Sequence, residues 1–136
     1  MFRRIDEKTL VAGQVHAEDI AAAKAAGVTM IVNNRPDGEA AGQPPAAEIE
    51  AAARAAGLGY RHIPVASGFS AGQVAAMAEA LEAAEGPVLA FCRSGTRSTF
   101  LWALARAEVG DDGEELMRKA AAAGYDLSPI RALLQR

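Results

Sequence analysis

The chain has 136 residues, about half of them hydrophobic and a quarter charged, a formal charge of −3 and a single cysteine. That length and balance suit one globular domain, residues 1–136, with a core of its own. The acidic balance and the lack of a basic stripe give no support for a nucleic-acid partner, the lone cysteine excludes an internal disulfide, and no apolar run approaches the length of a membrane span. The N-terminus MFRRIDEKTL has no apolar signal-peptide core, so a reducing, cytoplasmic location is expected, where a free thiol survives. No CxxC, HExxH or Cys/His cluster is present, so neither a metal nor a cofactor is expected.

In chain order, LVAGQV (10–15) reads as a short strand. Residues 16–27 read as a helix, with Ala17, Ile20, Ala21 and Ala25 on one face and Gly27 as its stop. VTMIVNN (28–34) is rich in β-branched residues and reads as a buried strand. RPDGEAAGQPP (35–45) is a loop with Pro36, Asp37 and Gly38 as turn residues. A helix over 45–57, with Pro45 at its start and Gly57 past its end, precedes a strand over 58–65 that ends near Pro64. The next helix spans 70–86, with Val74, Met77, Ala78 and Leu81 on one face, and PVLAFC (87–92) is a strand. A helix over 98–110 is apolar almost all round and so central, with Trp102 and Phe100 in the core. Two further helices cover 112–125 and 128–136, and the acidic run 110–115 reads as a solvated helix start. Strands alternating with helices predict an α/β fold: a small central, mostly parallel sheet flanked by helices.

Cys92 stands at the carboxyl end of a strand that runs straight into a helix, which is where such sheets bind ligands. The stretch CRSGTRS gives this position its chemistry. A tight loop before a helix turns successive backbone N–H groups inward and binds anions. Gly95 permits the turn. Arg93 and Arg97 add positive charge, and an arginine fork suits a tetrahedral oxyanion. The same field favours the Cys92 thiolate, lowering its pKa and making it a nucleophile near neutral pH. Ser94, Thr96 and Ser98 can donate hydrogen bonds to the thiolate or the anion. Asn34 and Arg35 end a strand on the same side of the sheet and either line the pocket or brace the loop. Asp37 is either a turn former or a general acid, and Glu39 is a weaker candidate for that acid. His62 reads as a structural histidine rather than a base, and His16 as a helix start. Phe69 either faces the pocket mouth or packs under the loop.

The segments GQV, IVNNRPDGE…GQP, HIPV and CRSGTRS, in that order with helices between, resemble the beta-lactamase-hydrolase-like protein family in its phosphatase-like domain. The resemblance covers nearly the whole chain. It implies a fold like that of dual-specificity phosphatases, with Cys92 as nucleophile and Arg97 as the anion-binding arginine. It also suggests that Gln14 and Gln43 reach the site.

Two departures bear on the reaction. Phosphatases of this kind place five residues between cysteine and arginine, whereas here four, Arg93 to Thr96, intervene. That spacing resembles the CRxGxR loop of rhodanese-type sulfurtransferases. The segment ASGFSAG after HIPV also lacks the aspartate that such phosphatases use to protonate the leaving group. The expectation is therefore a sulfurtransferase working through a Cys92 persulfide. Its partners would be a small oxyanion or sulfane-sulfur donor and a thiol acceptor. The alternative is a phosphatase working through a Cys92 phosphocysteine on a phosphorylated substrate. A non-catalytic anion-binding module is the third reading.

Overall fold

The computed structural model describes residues 1–135. Five strands form one sheet: β1 (Arg3–Arg4), β2 (Thr9–Ala12), β3 (Met30–Asn33), β4 (Gly59–His62) and β5 (Val88–Phe91). Their order is β1-β2-β5-β3-β4; β1 runs antiparallel to β2 and the other neighbours are parallel. The helices are α1 (Ile20–Ala25), α2 (Ala46–Ala55), α3 (Ala71–Ala83), α4 (Thr96–Glu108), α5 (Gly113–Ala122) and α6 (Arg131–Leu134). The α/β expectation is met, with β1 added as an edge strand of two arginines too short to carry a hydrophobic pattern.

The side-chain alternation of β5 divides the core in two. Val88 and Ala90 face a cluster with Met77, Leu101, Trp102 and Leu116 from α3, α4 and α5. Leu89 and Phe91 face the other, with Ile20 of α1 and Ile49 and Ala53 of α2. A strand buried on both faces needs an unbroken apolar run, and VLAF supplies it. The α4 helix is central as expected: Leu101, Trp102, Ala103 and Ala105 are almost completely buried. Trp102 keeps its indole N–H satisfied by donating to Asp6 at 3.1 Å. Phe100 is only half-buried and packs on Phe69, 6.1 Å between ring centroids.

Several boundaries differ from the sequence expectation for local reasons. Residues 17–19 form a 3-10 turn before a short α1, with His16 at its start. The helix of 70–86 ends at Ala83, and its start is closed by a reciprocal capping box between Ser70 and Gln73. Pro45 stands at the N-cap position, just outside α2. The chain end splits into α5, a 3-10 turn at 128–130 and α6. The acidic run is a helix start: the Asp112 carboxylate accepts the Glu115 N–H, and Asp111 pairs with Arg106. The most consequential shift is at α4, which begins at Thr96 rather than 98, so that the connection from β5 is only Cys92–Gly95.

The parallel strands end level with one another. Ala12, Phe91 and Asn33 share one register, and His62 pairs with Asn33. Gly13, Cys92, Asn34 and Ile63 therefore emerge together at one edge, with the Cys92 loop between its two parallel neighbours.

Candidate active site

Cys92 is buried at the floor of its loop, and its Sγ accepts the Gly95 N–H at 3.1 Å. Gly95 caps α4 with φ of +93°, a conformation that suits glycine alone. Its carbonyl accepts both the amide and the hydroxyl of Thr99, at 2.9 and 2.8 Å, which fixes the first turn of the helix. The loop is tied to the end of β2 as well: Cys92 N–H donates to Ala12, and Gln14 N–H to the Arg93 carbonyl, each at 3.4 Å. A Cβ on Gly13 would stand 3.0 Å from that Arg93 carbonyl, which is why the GQV segment starts with glycine.

Arg97 leaves the first turn of α4 and is held from two sides. Its Nη1 donates to the Val65 carbonyl at 2.6 Å. Nη1 and Nη2 also grip both oxygens of Glu39, at 2.7 and 2.9 Å, in the fork geometry that suits a carboxylate. The same Glu39 oxygen that meets Nη2 accepts Arg35 Nε at 2.9 Å, and Arg35 Nη1 donates to Gln14 at 2.9 Å. One carboxylate thus bridges two arginines beside the thiol. The hydrogen bond from Arg97 is the main reason the Glu39 carboxyl falls from 4.5 to about 2; burial opposes it and Arg35 adds to it. Reciprocally, Glu39 is the largest influence raising Arg97 above its ordinary value, and the neighbouring Cys92 acts in the same sense against desolvation. Arg97 is a cation at every working pH.

The loop that presents Glu39 is stitched by Gln43, whose Oε1 accepts the Glu39 N–H while its Nε2 donates to the Pro36 carbonyl. Asp37 lies elsewhere in this loop. Its Oδ1 accepts the Ala46 N–H at 2.7 Å, capping α2 from a distance, and no hydrogen bond joins it to Cys92, Arg97 or Glu39 among the described residues. Asp37 acts as a cap here, and the carboxylate against the arginines is Glu39, the weaker of the two candidates in the sequence.

The remaining residues divide into braces and open positions. Ser98, expected to donate to the thiolate or the anion, and Asn34, which the sequence leaves as either pocket lining or loop brace, are fully buried and bonded to each other: Ser98 Oγ donates to Asn34 Oδ1 at 2.8 Å, and Asn34 Nδ2 to the Ile63 carbonyl at 2.9 Å, so Asn34 is a brace. They join the end of β3, the strand after α2 and the start of α4. Arg35 is buried, and its N–H donates to the Asn33 side chain. His62 is structural, its Nε2 2.9 Å from the Arg35 carbonyl. Arg93, Ser94 and Thr96 are at the loop's outer rim, and Ser94 Oγ donates to Thr96 Oγ1 at 3.1 Å. Tyr125, which no sequence pattern marks, donates its hydroxyl to the Ser94 carbonyl at 3.2 Å. Among the described residues, no group of three His, Cys, Asp or Glu side chains could hold a metal ion, and no helix is long and apolar enough to cross a membrane.

The site thus has a cysteine at the end of a central parallel strand, an N–H on its sulfur and an arginine in the first turn of the helix that follows, and the chain that carries it is similar to known proteins. Residues 1–109 match the family described as beta-lactamase hydrolase-like protein, phosphatase-like domain. The chain belongs to this family. The beta-lactamase hydrolase-like protein of Agrobacterium fabrum is 36% identical over 98% of the chain, which spans only 31% of that relative's length. A candidate phosphatase from Neisseria meningitidis, solved by crystallography, is 35% identical, with a TM-score of 0.84 over 97% of this chain and 94% of that one. TpbA of P. aeruginosa, solved in complex with pTyr, shares 20% identity and a TM-score of 0.62 over 98% of this chain and 89% of that one. The last likeness shows the fold, that of cysteine-dependent phosphatases. Together the matches support a cysteine-based, phosphatase-like enzyme. They overturn the order of the two sequence readings: the sulfurtransferase expectation, drawn from the four-residue loop, has no support among them.

Proposed function

We propose that this domain is a cysteine-dependent phosphatase that cleaves phosphate monoesters with acidic leaving groups, aryl phosphates above all. The observation that carries this is the Cys92 loop, with a backbone N–H on the sulfur and Arg97 alongside, on a phosphatase-like fold. The Cys92 thiolate attacks phosphorus, forming the S–P bond as the P–O bond to the leaving group breaks. Loop N–H groups and Arg97 balance the charge on the phosphoryl oxygens. Water then attacks phosphorus, the S–P bond breaks, and inorganic phosphate leaves with the thiolate restored. Among the described residues no protonated carboxyl is placed by the loop: Asp37 caps α2 and Glu39 is ionised. The leaving oxygen therefore departs as an anion protonated by solvent, which restricts fast substrates to phenolic esters. That TpbA is solved with pTyr fits this class. A lone nucleophilic thiol suits a reducing compartment such as the cytoplasm.

One observation favours a second reading. A four-residue loop with no acid beside it also suits sulfur transfer, in which Cys92 takes the outer sulfur of thiosulfate and sulfite leaves without needing a proton. Two assays on one preparation separate the readings. Aryl phosphate hydrolysis abolished by Cys92→Ser, falling steeply as the leaving phenol becomes less acidic, supports the phosphatase. A gain of one sulfur in intact mass after thiosulfate, absent in Cys92→Ala and removed by glutathione, together with no phosphate release, would replace it with the transferase. Anion binding that survives Cys92→Ser, with neither chemistry in the wild type, would leave only a binding module.

A further inference from the structure

The Ser94–Gly95 peptide group is held at both ends. Its N–H is on the Cys92 sulfur at 3.1 Å and its carbonyl accepts the Tyr125 hydroxyl at 3.2 Å. A planar trans peptide points these two ends in opposite directions, so fixing one fixes the other. Gly95, at φ of +93°, lies where backbone rotation meets least steric resistance, so the residue itself does little to stop this peptide from turning over. A turned peptide would aim its carbonyl oxygen at the sulfur and repel a thiolate.

Tyr125 is built to prevent this. Its ring lies over Gly95 so closely that a Cβ there would meet the hydroxyl. The Arg3 guanidinium of β1 sits 5.8 Å from the ring centroid and donates to the Ala123 carbonyl at 2.9 Å, tying the turn after α5 to the edge strand. Buried Leu127 anchors the far side of that turn. Desolvation raises the Tyr125 hydroxyl above its ordinary value and the nearby Cys92 adds to this, against Arg3, so the group remains a donor. Tyr125 lies beyond residue 109, outside the segment that matches the family.

We infer that Tyr125 is a positioning residue: its hydroxyl pins the Ser94–Gly95 peptide so that the Gly95 N–H stays on the Cys92 sulfur, and the C-terminal segment thereby sets the reactivity of the nucleophile. The inference rests on Cys92 being the nucleophile proposed above. The charged and titratable groups facing the pinned loop are Arg3 and Tyr125 on one side and Arg97 with Glu39 on the other, so Tyr125→Phe removes one hydroxyl and leaves every charge in place.

The test compares wild type, Tyr125→Phe and Cys92→Ser. Thiolate is read as Cys92-dependent far-ultraviolet absorbance, and reactivity as the iodoacetamide alkylation rate at a fixed, slightly acid pH. Tyr125→Phe keeps the ring and its Arg3 contact, so its thermal midpoint is expected to stay near wild type. Its alkylation rate and thiolate absorbance are expected to fall together by about 3- to 10-fold, the worth of one hydrogen bond. A variant that matches wild type in both, while wild type shows an absorbance missing from Cys92→Ser, overturns the role of Tyr125 and leaves the nucleophile standing. A wild type with no Cys92-dependent absorbance overturns the nucleophile and the inference with it.

Discussion

Replacing Glu39 by glutamine removes the negative charge that holds Arg35 and Arg97 together. In the wild type the carboxylate receives three hydrogen bonds, from Arg97 Nη1 at 2.7 Å, Arg97 Nη2 at 2.9 Å and Arg35 Nε at 2.9 Å. Glutamine keeps one acceptor and turns an N–H toward a guanidinium. Breaking one side of a buried ion pair costs roughly 3–5 kcal/mol, whereas a fully exposed pair is worth about 1 kcal/mol or less. The Glu39 side chain is 25% exposed and that of Arg97 21%. Solvent screening therefore places the loss between those limits, at about 1–2 kcal/mol at pH 7. The sign of the pH dependence follows from a carboxyl that is lower in the folded state, about 2, than its ordinary 4.5. Its contribution is complete above the ordinary value and is lost as pH falls toward the folded one. Urea unfolding of wild type and Glu39→Gln should differ by that amount at pH 7, and the gap should close by more than half at pH 3. A gap of equal size at both pH values would refute the reasoning. Because Glu39 is ionised throughout the working range, the substitution should also leave the alkaline side of the pH–rate profile where it was. Loss of that limb would make Glu39 the missing acid.

Asp37→Asn keeps an oxygen for the Ala46 N–H while removing the titratable carboxyl and its charge, so turnover of an aryl phosphate should stay within about twofold. Asp37→Ala should cost about 1 kcal/mol of stability as a lost cap; a hundredfold fall in kcat for the asparagine variant would instead make Asp37 a general acid. Ser98→Ala leaves the buried Asn34 Oδ1 without its donor and should cost roughly 1–3 kcal/mol by denaturant unfolding, a loss that Ser98→Thr would lessen only if the added methyl fits. Gly95→Ala must fit a Cβ at φ of +93°, against the Tyr125 hydroxyl and 3.3 Å from the Ala12 carbonyl, so it should destabilise by about 1–3 kcal/mol and abolish Cys92 reactivity. An active, stable Gly95→Ala protein would show that the loop geometry does not depend on that residue.

The parts of the fold that can be read from the sequence are those that announce themselves locally. β5 shows as an unbroken apolar run because it is covered on both faces, and α4 shows as a helix without a polar side because it sits between α3 and α5. β1 cannot be read, since two exposed arginines carry no pattern and pair only because β2 is there to accept them. The start of α4 lies two residues earlier than the sequence suggests, for a related reason. Thr96 and Arg97 carry no helix-start signal of their own; the helix starts there because Gly95 turns the chain and Thr99 closes on its carbonyl.

The site divides along the same line. Cys92, Gly95 and Arg97 are legible because a nest before a helix is a local object whose residues are contiguous. The roles of Glu39 and Tyr125 are not, because they exist only once segments 58 and 31 residues away in sequence are folded against that loop. Without the Glu39 bridge, Asp37 looks like the available carboxyl and Asn34 and Ser98 look like free donors. With it, the carboxyl by the arginines is fixed as an anion, and the buried Asn34–Ser98 pair becomes the brace that holds β3 and α4 at the spacing this bridge requires. On the proposed reading, what meets a substrate is narrow: the sulfur, the Gly95 N–H beside it and one arginine already oriented by Glu39. On the phosphatase reading proposed above, a site so composed stabilises an oxyanion and supplies no proton, and that reading makes the leaving group, rather than any acid of the protein, the determinant of which esters are cleaved.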